Sequence, residues 1–277
     1  MTSPSEQPHV PDDRVAAFFD LDKTIIATSS AAAFSRPFFA GGLLNRADVL
    51  RSAYAHFLFM VGGADADQTE RMRAHLSSLV TGWDVATVSR IVTETLHEHI
   101  DPVVYAEAVE LIDSHHAHGH DVVVVSASGS EVVEPIAAVL GADHVISSRM
   151  AVEEGRYTGS IDFYAYGENK AVAIRELADR EGYDLDASYA YSDSVTDVPM
   201  LDAVGRASVV NPDRALRRLA AERGWGVLTF TKPVALRSHL SPRAPALAAA
   251  GVLVVAVVAW CVWRAARRRA RRRQDGT

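Results

Sequence analysis

Two rhythms of apolar and polar positions alternate along this chain, and the change from one to the other divides it. Val15 to Phe19 is an unbroken apolar run that stops at Asp20 and Asp22, in the stretch AFFDLDKTII. Such a short run closed by polar residues predicts a buried strand. From Ser29 to about His99 the apolar spacing becomes helical, in RADVLRSAYAHFLFMV and DVATVSRIVTETL, with breaks at Gly41-Gly42 and Gly62-Gly63. Pro102 opens a further helix through Asp113, and Gly119 marks its end.

Beyond Asp121 strands and helices take turns. Val122–Val125 is a β-branched run suited to a parallel strand covered on both faces. EVVEPIAAVLGAD predicts a helix, HVIS a short strand, and MAVEEGRYTGSID a hairpin turning at Glu154-Gly155. NKAVAIRELADREG predicts a helix with Asn169 as N-cap and Gly182 as its stop. SYAYSD, VPMLDAVG, RASVV, PDRALRRLAAERG and WGVLTF continue the strand and helix alternation to the end of the pattern. The expected fold is α/β: a doubly wound parallel sheet with a helical insertion, at about residues 29–100, after its first strand. There is no internal repeat.

Composition changes this picture at the two ends. With 277 residues, 48% hydrophobic and 23% charged, the chain can bury a large core. The N-terminal MTSPSEQPHVPDD lacks the basic start and apolar centre of a secretory signal and reads as a short disordered leader. Ala244 to Trp263 carries no charge over 20 residues. At ~1.5 Å per residue a helix of that length covers about one bilayer core. Trp260 and Trp263 stand where an aromatic belt would lie, so a C-terminal transmembrane helix is expected. The one cysteine, Cys261, lies inside this run, which leaves no disulfide framework and no cysteine metal site.

The net charge of −7 is unevenly spread. Seven arginines between Arg264 and Arg273 face only Asp275. Taking them from the totals of 28 basic and 35 acidic residues leaves a body of 21 and 34, near −13, and a polybasic tail (residues 264–277) near +6. An acidic body argues against nucleic-acid binding. The tail suits anionic lipid, at roughly 1 kcal/mol per residue near the surface. Arginines after the span favour a cytoplasmic C-terminus, which would export the body, and the span could itself act as a reverse anchor. Lys232, Arg237 and Arg243 precede it, however, and no export signal stands at the N-terminus. The expectation is therefore a single-pass membrane protein with its body in the cytoplasm.

Ligands of open α/β sheets bind at the carboxyl ends of the strands. At those ends stand Asp20 and Asp22; Ser126, Ala127 and Ser128; and Asp193 and Asp197. Lys170 opens the helix after the hairpin. A hydroxyl, a lysine and four carboxylates on one rim suit phosphoryl transfer, which needs a nucleophile, a proton donor, a hard cation and positive charge on the phosphate oxygens.

DLDKT, Ser126, Lys170 and DSVTD, in that order, resemble the four motifs of the haloacid dehalogenase superfamily, in its subfamily IB, phosphoserine-phosphatase-like branch. The resemblance runs from about Arg14 to Phe230, within a hydrolase domain expected at 14–232, and the helical insertion matches that branch's cap. It implies a Rossmann-like core and a Mg²⁺-dependent phosphomonoesterase acting on a small phosphorylated substrate. Asp20 is then the nucleophile, and Asp22 the general acid and later the base. Ser126 and the Ala127 N–H hold a phosphate oxygen, and Lys170 neutralises the phosphate and keeps Asp20 ionised. Asp20, the Asp22 carbonyl and Asp193 bind Mg²⁺, while Asp197 orients Lys170 or a metal-bound water. P-type pumps of the same superfamily continue DKT with GT, whereas Ile25-Ile26 follow here.

Three departures bear on the substrate. The branch usually places a Glu after the first motif to hold the amine of phosphoserine, and this chain has Thr28, Ser29 and Ser30. Its usual glycine pair is Ala127 and Ser128 here, and its Asn before the last Asp is Thr196. Related domains fused to glycerolipid acyltransferases make a lipid-linked phosphomonoester the alternative, and a non-catalytic phospho-ligand sensor is a second. Arg36, Arg46 and Arg51 of the insertion could meet a phosphoserine carboxylate, although solvated positions suit them better. The histidines of HHAHGH (His115–His120) are expected to form a solvated helix end and turn. Glu94, His97 and His99 read as surface positions, and Ser194 as a residue that shapes its loop.

Overall fold

The computed structural model describes residues 14–44, 74 and 77–231. The leader, the RADVLRSAYAHFLFMV helix with Arg46 and Arg51, the uncharged segment Ala244–Trp263 and the arginine tail lie outside the described residues. Among the described residues no helix is long and apolar enough to cross a membrane.

Seven strands form one sheet: β1 (Ala16–Asp20), β2 (Asp121–Gly129), β3 (His144–Glu153), β4 (Arg156–Phe163), β5 (Tyr189–Ser192), β6 (Arg206–Val210) and β7 (Gly226–Leu228). Their spatial order is β4-β3-β2-β1-β5-β6-β7. All neighbours pair in parallel except β3 and β4. The sheet is thus doubly wound, with an antiparallel edge strand supplied by the hairpin. The short strand expected at HVIS is ten residues long, because its second half pairs with β4 rather than ending at the core.

Burial follows the strand period of two. Ala17, Phe19, Val122 and Val124 face one core, and Ala16, Phe18, Val123 and Val125 face the other. Both faces are covered, which is why these central strands are apolar throughout. Against the first core pack α3 (Ala106–Ala117) and α4 (Ser130–Val139), which lie on the sheet, and α1 (Ser30–Ala40) and α2 (Val85–His99), which pack on each other and, through α2, on α4. They bury Phe34, Val92, Ile112 and Ile136 among others. On the second lie α5 (Glu168–Glu181), α6 (Val198–Asp202) and α7 (Arg214–Arg223), through Ile174, Leu201 and Leu216.

The helices α1 and α2 come from the insertion between β1 and β2, and each has a side-chain cap. Ser29 accepts from the Ala32 N–H and Asp84 from the Thr87 N–H. The segment before α2 is stitched to β4: the Gly82 N–H donates to the Tyr157 carbonyl, and the Tyr157 N–H to the Trp83 carbonyl. Asn169 is not the N-cap of α5. Gly167 is, at φ +57, a left-handed conformation that glycine adopts without strain, and Asn169 instead donates from Nδ2 to the Tyr164 carbonyl. Gly182, at φ +77, ends the helix as its pattern predicts.

Candidate active site

Strand register assembles the site. Asp20 is the last residue of β1 and lies opposite Val125, so Ser126 stands one residue further along β2. On the other side Phe19 lies opposite Tyr191, which puts Asp193 just past the exit of β5. Lys170 reaches this rim from the first turn of α5.

At the centre the Lys170 Nζ donates to Asp20 Oδ1 at 2.6 Å and to Asp197 Oδ2 at 2.9 Å. All three side chains are buried, Lys170 and Asp197 at 2% exposure and Asp20 at 6%. Ser192, the last residue of β5, donates its hydroxyl to Asp197 Oδ2 at 2.7 Å and accepts from the Ser194 N–H. Burial alone would lower the Lys170 ammonium, but the Asp197 and Asp20 carboxylates outweigh it and hold the lysine protonated. Burial pushes the Asp20 carboxyl up, Lys170 pulls it back, and Asp197 and Asp22 push it up again.

Asp22 is held apart from this triad. Beyond β1 the chain turns tightly through Lys23, which has φ +62, and the Ile25 and Ile26 N–H groups close the turn on the Leu21 carbonyl. The Ser30 N–H, in the first turn of α1, donates to Asp22 Oδ1 at 2.8 Å. Burial raises the Asp22 carboxyl and the Ser30 bonds partly offset it. The two carboxylates that leave one strand are therefore in unlike settings: Asp20 faces a fixed ammonium, and Asp22 a neutral donor.

Ser126 is buried at 1% exposure, and its Oγ accepts from the Ser128 N–H. Ser128 Oγ in turn lies 2.7 Å from Ser30 Oγ and so links β2 to the insertion. The Asp193 N–H donates to Thr24 Oγ1 at 3.0 Å. Burial pushes the Asp193 carboxyl up to about 6, although Lys23 lowers it. Two carboxylates thus bind one buried ammonium, with Asp22 and Asp193 within its electrostatic reach, and an all-oxygen, net-negative donor set of this kind fits a hard divalent cation. Among the described residues no three His, Cys, Asp or Glu side chains cluster as metal ligands. The expected set needs only two carboxylates with a main-chain oxygen.

Thr24, Ser30 and Ser192 are supporting residues that sequence reasoning passed over. Each is a hydroxyl next to a motif, and its partner is evident only in three dimensions. A cavity of about 330 Å³ opens beside Asp22, Ala127 and Ser128, towards the insertion and β4.

Other expectations divide. His115 is not solvated: it continues the buried face of α3 set by Ala108 and Ile112, at 5% exposure. Its Nε2 lies 2.9 Å from the Tyr191 hydroxyl and its Nδ1 2.9 Å from His120 Nδ1. His116 and His118 do lie at the surface. Glu94 pairs with Arg90 and His97 with Asp101 on the outside of α2, and Arg36 is exposed. Ser194 shapes its loop by accepting from the Thr196 N–H.

The parallel sheet and this rim define a doubly wound, Rossmann-like α/β core with its polar site at the carboxyl ends of the strands. The chain belongs to the haloacid dehalogenase-like hydrolase family, whose model matches residues 17–202. It is 60% identical over 250 residues to a probable phosphatase of Mycobacterium tuberculosis (strain ATCC 25618 / H37Rv), across 90% of this chain and 87% of that one. It is 35% identical over 248 residues to the phosphoserine phosphatase SerB1 of the same strain, across 89% and 80%. A crystal structure of a protein of unknown function from Bordetella pertussis Tohama I superposes with a TM-score of 0.69 at 30% identity, covering 78% of this chain and 98% of that one.

Proposed function

We propose that this chain, a phosphoric monoester hydrolase, works through an aspartyl-phosphate on Asp20 with Mg²⁺ as cofactor. The observation that carries the reading is the Lys170 ammonium fixed between Asp20 and Asp197, with Asp22 held separately on the Ser30 N–H.

In the first step a carboxylate oxygen of Asp20 attacks phosphorus, and the bond from phosphorus to the ester oxygen breaks. Asp22, its carboxyl raised by burial, delivers its proton to the departing alkoxide. In the second step Asp22 takes a proton from water as that water attacks phosphorus, and phosphate leaves with Asp20 restored. Lys170 offsets charge on the phosphoryl oxygens, and Ser126 with the Ala127 N–H holds one of them. Asp197 and Ser192 keep the ammonium aimed. Asp20, the Asp22 carbonyl and Asp193 would hold Mg²⁺, which when bound supplies Lewis-acid neutralisation of the phosphoryl charge. A phosphate sensor without turnover is the weaker reading, since Asp20, Asp22 and Lys170 are all in place.

The uncharged Ala244–Trp263 run supports a single-pass anchor and the arginines after it a tail on anionic lipid, while Lys232, Arg237 and Arg243 before the run favour a catalytic domain in the cytoplasm. The test is phosphate release by the full chain in detergent, with and without Mg²⁺, across phosphoserine, sugar phosphates, lysophosphatidate and p-nitrophenyl phosphate. Mg²⁺-dependent release supports the reading. A folded chain that releases no phosphate from any of them refutes it.

A further inference from the structure

We infer that the cavity beside Asp22 takes a leaving group with an apolar body and one cationic group, paired with Glu131, and selects against leaving groups that carry a carboxylate. This deepens the phosphatase reading and rests on it.

The cavity begins where the chemistry ends, since Asp22, Ala127 and Ser128 form part of its wall. An ester whose phosphorus meets Asp20 has no other use for that space than its alcohol portion, because Asp22 must reach the ester oxygen. The volume of about 330 Å³ lies at the small end of the range for small-molecule sites. Most of the lining is apolar, with Phe38, Trp83 and Val88 from the insertion and Met150 and Ile161 from the β3–β4 hairpin. Phe38 and Trp83 meet edge to face at 5.7 Å, which fixes both rings. These walls favour a hydrocarbon or aromatic body over a small hydrated one such as the serine side chain.

One further carboxylate faces this space. Glu131, in the first turn of α4, lines the cavity and is half-buried. It accepts from the Ser130 hydroxyl at 3.2 Å and from the hydroxyl of buried Tyr157. Both donors are neutral: they orient the carboxylate without cancelling its charge. Among the described residues no lysine or arginine pairs with Glu131, and none lines the cavity. A carboxylate held against apolar walls with no cation is the complement of a bound ammonium. It also sets Glu131 against any carboxylate in the ligand, which is a repulsive means of discrimination.

Three esters on one carbon frame test the inference with the full chain in detergent and Mg²⁺: 2-amino-3-phenylpropyl phosphate, 3-phenylpropyl phosphate, and the analogue with a carboxylate in place of the amine. The expected kcat/KM for the amine exceeds that for the neutral ester by about tenfold or more, and that for the carboxylate by about a hundredfold. In Glu131→Gln the ratio of amine to neutral ester falls towards one. A carboxylate ester as good as the amine ester overturns the inference on the unaltered chain, whatever the variant does. An unchanged ratio in a folded Glu131→Gln variant overturns the role of Glu131. Turnover without amine preference defeats this inference alone, whereas silence on all esters, p-nitrophenyl phosphate included, defeats the catalytic reading beneath it.

Discussion

Lys170 Nζ lies 2.6 Å from Asp20 Oδ1, although 150 residues separate the two in sequence, and both side chains are buried. An ammonium so placed lowers the Asp20 carboxyl against the burial, and the neighbouring Asp197 and Asp22, that raise it.

Removing the cation leaves Asp20 and Asp197 buried and unpaired. Lys170→Met is expected to abolish turnover and to cost about 3–5 kcal/mol of stability at neutral pH. Asp20, which burial already raises, is then raised further above its unfolded value, so stability is lost as pH rises through the folded value and recovered on acidification. Urea unfolding of the variant at pH 5 and pH 8 measures this, and equal stability at both would contradict it.

In the proposed mechanism Asp22 protonates the leaving alkoxide, so its loss is expected to matter most where the leaving group is poor. Asp22→Asn is expected to lower kcat on alkyl phosphates by roughly 10²–10⁴. On p-nitrophenyl phosphate, whose phenolate departs unaided, the first step suffers much less. Burst kinetics separate the two steps: the variant should show a burst of nitrophenol followed by slow hydrolysis.

His115 gives the fold an acid limit. Burial, with help from His120, pushes its imidazole down to about 4. The unfolded chain therefore binds a proton that the folded one refuses between about 6.5 and 4, and stability falls as pH is lowered through that window. His115→Phe should flatten the pH dependence there while lowering stability at neutral pH, because the buried Tyr191 hydroxyl loses its partner. Thermal unfolding of both proteins from pH 4 to pH 7.5 reads both effects.

Gly205 offers a control far from the chemistry, just before β6 and hence at the end of the sheet opposite the carboxyl rim. A Cβ there would collide with the Asp186 backbone carbonyl. Gly205→Ala is expected to cost about 1–3 kcal/mol while kcat per folded molecule stays unchanged. Denaturation midpoints and active-site titration check the pair of outcomes.

Much of the centre was legible in the sequence, because parallel strands must end in polar residues where they meet a ligand. Asp20 and Ser126 each close an apolar run, Asp22, Asp193 and Asp197 lie in the loops just beyond the strand ends, and their convergence follows from sheet topology. Lys170 was legible as the first cation of a helix that returns to that rim. The antiparallel β4 was legible in the hairpin turning at Glu154-Gly155, whereas the length of β3 was less so, since it depends on pairing with that partner rather than on local pattern. His115 was misjudged in a run of polar histidines, although its spacing from Ala108 and Ile112 carried the signal. Glu131 and Tyr157 are 26 residues apart and gain meaning only when the hairpin folds over α4.

The most direct test of the account is to capture the covalent intermediate. The full chain with Mg²⁺ and excess p-nitrophenyl phosphate is quenched in acid, reduced with borohydride and mapped by peptide mass spectrometry. Reduction of an aspartyl-phosphate gives homoserine, which is expected at position 20 and nowhere else, and absent when phosphate ester is omitted. Homoserine at position 22, or a phosphate retained on a serine such as Ser126 while turnover proceeds, would contradict Asp20 as the nucleophile.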